Sequence, residues 1–464
     1  MASEQHMETV ENEELDLYTN APYQTEILKR ETIAHNPIQS SYASTIQFDI
    51  NNSQHGKYID LANTTLEVEI GIKKHSDKSP LAKGEKVAPI NIPFHSMFKN
   101  MTMTLGNGTV INEANDTYPY IAYFQTLLQG SDYLRTQGKL IMWEKDDEES
   151  MSNTGATATK VTYPKEQVIT DGKVTTQAEA SNALGRRQAR WFSHENPATS
   201  SYHTKTLIGR PIGPLFQQER FLPYGVDVRL QLDRSKSEFV LMNGEAEDYD
   251  ISIERIELFV DYVTVNEKVF NNDMNRTKDI VIPVTRPVVQ YFTISSGIRM
   301  KKIDLFRGQL PSRMILAYVK NSAQAGEKDE NPFNFQTFGL NKLVVRKNND
   351  NYPTRPFQPN FSQLNYEREY MAMFEMLGLL NRDGSITISE DDFIKGFAIF
   401  CFDFTGEGKN GMADENTKHV DLKGNLVVDQ QFKQALTEDI SLVVYAEFEN
   451  DITIDSNNNV DKGF

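Results

Sequence analysis

The chain has 464 residues, 39% hydrophobic, 24% charged and 10% aromatic, with a formal net charge of -17. That length suggests two or three domains and a core large enough to need no covalent staples, and the lone Cys401 excludes an intrachain disulfide. The acidic balance argues against free binding to nucleic acid, whose phosphates are held by clustered Lys and Arg, and no apolar run approaches the ~20 residues that span a bilayer.

Residues 1–40 read as an N-terminal arm, too acidic at the start for a secretory signal. Glu4, Glu8, Glu11, Glu13, Glu14 and Asp16 meet no base before Lys29, so self-repulsion keeps the first part extended. Leu15, Leu17, Tyr18, Ile27 and Leu28 are apolar enough to dock, and the arm is expected either to hang free or to order on a neighbour.

Strand alternation begins at residues 44–50, with Ile46, Phe48 and Ile50, and continues through residues 58–72, where Leu66, Val68, Ile70 and Ile72 are in phase. After a charged loop, residues 88–130 bend through Pro89 and Pro93, form a hairpin around Gly106-Asn107-Gly108, and enter a helix near Pro119 that stops at Gly130. Tyr120, Tyr123, Phe124, Leu127 and Leu128 make one apolar stripe on that helix.

Residues 143–190 have almost no periodicity and are expected to form an exposed loop. The stretch opens on Glu144, Asp146, Asp147, Glu148 and Glu149 and ends on Arg186, Arg187 and Arg190, a solvated basic turn or a partner for acidic neighbours. Strands follow at residues 204–212, 225–232 and 250–265. In the last, the apolar phase slips from Ile251 and Ile253 to Ile256, Leu258, Val260 and Tyr262, which predicts a β-bulge near Glu254 or Arg255.

Residues 266–285 read as a linker between two halves, the first spanning 41–265 and the second 286–464. The second half opens with strands at residues 287–295, 303–306 and 313–319, then repeats the earlier order. Pro332-Phe333 answers Pro93-Phe94, and Leu340, Leu343 and Val345 enter a strand. A turn at residues 348–351 follows, then a helix with Tyr366, Tyr370, Met373, Phe374 and Leu377 on one stripe. Strands at residues 393–405, 424–432 and 439–454 come after it. Both halves close on Asp-Ile-Ser and a long alternating strand, which argues for two tandem copies of one β-rich domain, a sandwich or jelly roll.

Catalytic signatures are weak. No two of the eight His lie closer than nine residues, so the paired-His metal site of enzymatic jelly rolls is not encoded. Residues 381–390 resemble an EF-hand loop, but Leu379 stands at its first ligand position and a strand signal follows, so a tight turn is expected. Cys401 lies in a continuous apolar run and reads as core. No phosphate loop or nucleophile elbow occurs. No catalytic, cofactor-binding or metal residue is assigned.

Six segments in order carry a resemblance: Val87-Ala-Pro, Thr117-Tyr-Pro-Tyr before a helix ending Thr126-Leu-Leu, residues 218–229 (QERFLPYGVDVR), Gly308-Gln-Leu-Pro, Asn331-Pro-Phe-Asn-Phe and Val444-Tyr-Ala-Glu-Phe. From about Ser40 onward the chain resembles the double jelly-roll major capsid proteins, most of all those of Maverick/Polinton elements and adintoviruses, with virophage and adenovirus-hexon-like capsids more distant. The resemblance implies a mainly β fold of two tandem eight-stranded antiparallel jelly rolls with a short helix in each. It further implies a non-enzymatic homotrimer forming pseudo-hexagonal capsomers of an icosahedral shell around a DNA genome, in contact with neighbouring capsomers and penton or minor capsid proteins. A jelly-roll lectin or oxygenase, or a host-domesticated capsid gene, are the competing expectations.

Overall fold

A computed structural model of the chain describes residues 23–39, 41–81, 85–112, 115–151, 168–170, 173–175, 182–192, 204–382, 384–405 and 423–463. The first half contributes β1 (Ile27–His35), β2 (Thr45–Ile50), β3 (Lys57–Lys74), β4 (Val87–Pro89), β5 (Phe98–Leu105), β6 (Thr109–Asn112), β7 (Val168–Thr170), β8 (Lys173–Thr175), β9 (Thr204–Gly209), β10 (Val228–Arg234), β11 (Leu241–Asn243) and β12 (Tyr249–Val265). The second contributes β13 (Ile280–Ile294), β14 (Met300–Gln309), β15 (Arg313–Lys320), β16 (Leu340–Lys347), β17 (Asp350–Phe357), β18 (Ile399–Asp403), β19 (Lys423–Phe432), β20 (Ile440–Ile454) and β21 (Val460–Lys462). Helices are α1 (Pro93–Ser96), α2 (Tyr118–Leu127), α3 (Ser131–Thr136), α4 (Glu148–Met151), α5 (Ala183–Phe192), α6 (Ser237–Val240), α7 (Glu267–Met274), α8 (Asn321–Ala325), α9 (Glu367–Met376) and α10 (Glu390–Phe393).

The two halves have the same topology. In the first, sheets run β1-β12-β3-β9 and β2-β10-β5-β6; in the second, β13-β20-β15-β18, with β21 added to β20, and β14-β19-β16-β17. Matching strands in chain order makes the two pairs of sheets identical, and each pair is an eight-stranded antiparallel jelly roll. Its core lies between its two sheets. In the second half, Met314 and Leu316 of β15 and Leu442 and Val444 of β20 meet Leu343 and Val345 of β16 and Leu426 and Val428 of β19.

The predicted bulge is present: the register of β12 on β3 steps from Ile253 opposite Ile70 to Arg255 opposite Glu69, which returns Ile256, Leu258 and Val260 to the core face. Pro283 and Pro287 sit in β13, which among the described residues pairs only with β20. Four residues apart, they face the same way, so their missing N–H groups cost no bond at this sheet edge.

Some boundaries differ from the sequence reading. The stretch assigned to the arm contains β1, which pairs with β12 from His35 opposite Leu258 to Ile27 opposite Val265. Within the linker, residues 267–274 form α7, N-capped by Asn266, whose side chain accepts from Val269 N, and β13 already starts at Ile280. Cys401 lies buried in β18 opposite Ile315, where burial pushes its thiol far above the usual range. The EF-hand-like stretch ends in a capping box, Ser389 with Asp392, on α10.

Candidate functional site: the seam between the two jelly rolls

No charged residue occurs between Thr117 and Gln129, and α2 is accordingly buried almost all round, including Tyr118, Ile121 and Ala122, which lie off the predicted stripe. Pro119 sits in its first turn, where a missing N–H is harmless. The helix is inserted between the halves. Tyr120 Oη donates to Pro332 O at 2.9 Å, Tyr123 stacks on Phe333 with centroids 4.0 Å apart, and Phe124 stacks on Phe335 at 5.1 Å. Phe124 also lies 5.5 Å from Tyr445, whose hydroxyl accepts from Gln125 Nε2 at 3.1 Å and donates to Glu447 at 2.6 Å. Each such ring pair adds about 0.5–1.5 kcal/mol to what area burial supplies.

The two phenylalanines of the second half are held rigidly. Phe333 N donates to Asn331 Oδ1 at 3.0 Å, and Phe335 exchanges backbone bonds with Gly396 and Ala398. Burial raises the hydroxyl pKa values of Tyr120, Tyr123, Tyr291 and Tyr445 far above their usual value, so the aromatic seam stays uncharged. His95 beneath it is also neutral: burial lowers its pKa to about 3, and its Nδ1 lies 2.9 Å from Tyr118 Oη.

Beside the aromatics is an ionic clasp, and here the expected exposed loop needs correction. Trp143, Glu144, Asp146, Ser150 and Met151 at one end of residues 143–190, and Ala183, Leu184, Arg187 and Gln188 at the other, are buried. They are buried because the acidic and basic runs neutralise each other. Arg187 pairs with Asp146 at 2.8 Å with no exposed surface on either side chain, Arg190 pairs with Glu144, and Lys139 reaches the same carboxylate at 2.7 Å. Burial alone would raise the Glu144 carboxyl, but Lys139, Arg190 and Arg186 outweigh it and hold it below its usual range.

The clasp grips both halves. Towards the first, Gln188 Nε2 donates to Glu85 O and Val87 O at 2.7 Å each, and Arg187 Nε to Pro89 O at 2.8 Å. These alternate carbonyls line the edge of β4 that faces away from β11, so two adjacent side chains of α5 satisfy an otherwise open strand edge. Towards the second, Asn331 Nδ2 donates to Ser150 O at 3.2 Å, Asn334 Nδ2 donates to Met151 O, and Lys145 pairs with Asp392. Between the ends, β7 and β8 pair as a two-stranded antiparallel sheet.

A third tie comes from residues 455–463, which turn back from β20 onto the first half. Val460 O accepts from Thr109 Oγ1 at 2.8 Å, and Asn458 Nδ2 donates to Tyr224 O at 3.2 Å. Arg276 Nη2 bonds Asp455 O at 2.7 Å and Asn458 Oδ1 at 2.8 Å. Nearby, a cleft of about 270 Å³ opens between Asp49, Asn51, Gly106 and Asp227. Arg229, also in its wall, is paired with Asp49 at 2.8 Å.

Of the residues assigned to the arm, Leu15, Leu17 and Tyr18 fall outside the described residues. Ile27 packs against the cluster of Tyr58, Val263, Val265 and Phe270, while Leu28, at the register shift of β1, is 65% exposed. Among the described residues, no group of three or more His, Cys, Asp or Glu is placed to hold a metal ion, and no helix is long and apolar enough to cross a membrane. What the seam can do is mechanical: it locks two like jelly rolls into one body.

No family model matches the sequence, and no curated protein matches it. Solved structures do match along nearly the whole length. A chain of the Sputnik virophage structure aligns with a TM-score of 0.57 at 14% identity, covering 99% of this chain and 93% of that one. The PBCV-1 virus capsid chain gives 0.54 at 10% identity with 96% and 99% covered, and the Faustovirus major capsid protein 0.53 at 12% identity with 94% and 92% covered. At such identities the likeness is one of architecture: this chain has the double jelly-roll fold found in viral major capsid proteins.

Proposed function

We propose that this protein is the major structural subunit of an icosahedral viral capsid enclosing a DNA genome, and that it acts by assembly rather than catalysis. The observation that carries this reading is the topological identity of its two jelly rolls, on a fold matched end to end by capsid subunits. Two similar domains in each of three copies present six similar edges, so a homotrimer fills a hexagonal lattice position. The six ordered sequence segments support the Maverick/Polinton and adintovirus group. Neighbouring capsomers and penton or minor capsid proteins are the partners, the virion shell is the location, and the apolar arm residues Leu15, Leu17, Tyr18, Ile27 and Leu28 contact a neighbouring subunit. Light scattering of purified protein should give three times the chain mass, and negative-stain microscopy should show pseudo-hexagonal particles. A monomer at every protein and salt concentration tried would refute the reading.

A further inference from the structure

The third tie between the halves rests on one tight turn. β5 and β6 are joined by Gly106-Asn107-Gly108, all three exposed, and Gly108 N donates to Leu105 O at 2.9 Å. Residues 455–463 lie against this turn. Asn107 Nδ2 donates to Val460 O at 3.4 Å, the Thr109 hydroxyl is shared between Val460 O and Asn107 Oδ1 at 2.8 Å each, and a Cβ on Gly106 would stand 3.3 Å from Asn458 O. Around Gly108 there is open space, with nothing within 4 Å of where a Cβ would be.

An asparagine followed by glycine is chemically labile, because no side chain keeps the glycine nitrogen from the asparagine amide. Once Gly108 N gives its proton to hydroxide, it bonds to Asn107 Cγ; the Cγ–Nδ2 bond breaks, and ammonia leaves with a proton from water. A second water then opens the succinimide at one of its two carbonyls. Opening at Cγ leaves an aspartate, and opening at the main-chain carbonyl leaves an isoaspartate, in which the chain runs through the side chain. One water is consumed and one ammonia released overall, and nothing is oxidised or reduced.

The other Asn-Gly pair among the described residues is shut against this reaction. Asn243 is 4% exposed; its Nδ2 donates to Glu247 O at 2.7 Å, its Oδ1 accepts from Glu245 N at 2.8 Å, and Gly244 N donates to Lys86 O at 2.9 Å. Asn107 is exposed, and its amide nitrogen makes one long bond. What restrains it is the turn, since Gly108 N must first leave Leu105 O. Such local opening is opposed by whatever is packed on the turn, which here is residues 455–463.

We propose that Asn107 is a deamidation site gated by residues 455–463, and that its conversion unseats them. A carboxylate at position 107 cannot donate to Val460 O and turns a negative charge towards that carbonyl. In the isoaspartate form an extra main-chain atom enters the turn and spoils the bond from Gly108 N to Leu105 O. Hydrolysis is not reversed, so the site records time elapsed since folding, and a converted chain keeps its halves joined by the seam and the clasp alone. This goes beyond the assembly reading and does not depend on it.

The test ages full-length protein at mildly alkaline pH and reads its peptides by mass spectrometry. The Asn107 peptide should gain one mass unit and separate into aspartate and isoaspartate forms, with the Asn243 peptide unchanged, and amide exchange in residues 455–463 should rise with the converted fraction. Asn107→Gln, whose longer side chain closes a ring far more slowly, should age without that rise. Two variants loosen the segment without touching Asn107: Val460→Ala, and Arg276→Met, which removes the bonds to Asp455 O and Asn458 Oδ1. Each should speed conversion about tenfold. An Asn107 that converts no faster than Asn243 overturns the site. Conversion at the wild-type rate in both loosened variants overturns the gate, and equal exchange of residues 455–463 before and after full conversion overturns the unseating.

Discussion

Arg187 Nη2 lies 2.8 Å from Asp146 Oδ1, and neither side chain has any surface in contact with solvent. A buried pair of this kind stabilises little against an apolar substitute but is costly to break, because the survivor is left as an uncompensated charge. Arg187→Ala should therefore cost about 3–5 kcal/mol in urea unfolding, and Arg187→Met combined with Asp146→Leu should recover most of it. If the single and double variants are equally destabilised, the charge is not what the site is sensitive to.

The ring of Phe333 is stacked between the halves on Tyr123. Phe333→Ala removes it from a fully buried position and should cost about 3–5 kcal/mol. Because the lost packing joins the two jelly rolls, calorimetry should show the unfolding endotherm broadening or splitting into two. A single sharp transition merely shifted down would mean that the clasp alone suffices for coupling.

Two buried carboxyls should pull stability in opposite directions with pH. Burial raises Glu369 above its ordinary 4.5, so the folded state holds that proton more tightly than the unfolded one. Its contribution is fully present below 4.5 and is lost as pH rises through the higher folded value, so Glu369→Gln should stabilise the protein at neutral pH and have little effect in acid. Glu144 is held below 4.5, so its contribution is present above that value and lost as pH falls through the folded one. Glu144→Gln should destabilise at neutral pH, with the difference closing in acid. Denaturant titrations of both variants between pH 3 and 8 check the two signs.

Val460 is buried where residues 455–463 cross onto the β5–β6 hairpin. Val460→Asp should release that segment and raise amide exchange in residues 98–112. Thr109→Val, which removes the hydroxyl that Val460 O and Asn107 Oδ1 share, should cost about 1 kcal/mol. Exchange confined to residues 455–463 in the Val460→Asp protein would show that the hairpin needs no cover.

The strands were legible because their side chains obey a two-residue period, and even the bulge at Ile253 and Arg255 could be read from the phase slip. So could the duplication, through Tyr-x-Ala-x-Phe in both helices and Asp-Ile-Ser at the start of both closing strands. The burial of α2 on every side had a signal too, in the lack of any charge from Thr117 to Gln129, but a stripe of five apolar residues suggested a one-sided helix. The clasp was harder. The loop carrying the acidic and basic runs read as exposed, and although the basic run could be read as a partner for acidic neighbours, only the fold shows that Arg187 meets Asp146, 41 residues away, in a buried site. In β1, the interrupted alternation of Ile27, Ile33 and His35 is masked by Lys29, Arg30 and Glu31, which an edge strand tolerates in place of apolar residues.

The position of α2 in the chain has a consequence for synthesis. The first jelly roll can pair all its strands once β12 has been made, yet the partners of Tyr120, Tyr123 and Phe124 are Phe333, Phe335 and Tyr445, up to 325 residues downstream of Tyr120. A nascent chain therefore carries a folded domain with a bare aromatic helix while the remainder is translated. On a polysome, where identical nascent chains are crowded together, that helix is open to the second domain of a neighbour as well as to its own. Translation speed across residues 266–335 thus becomes a determinant of whether the seam closes within one chain or between two.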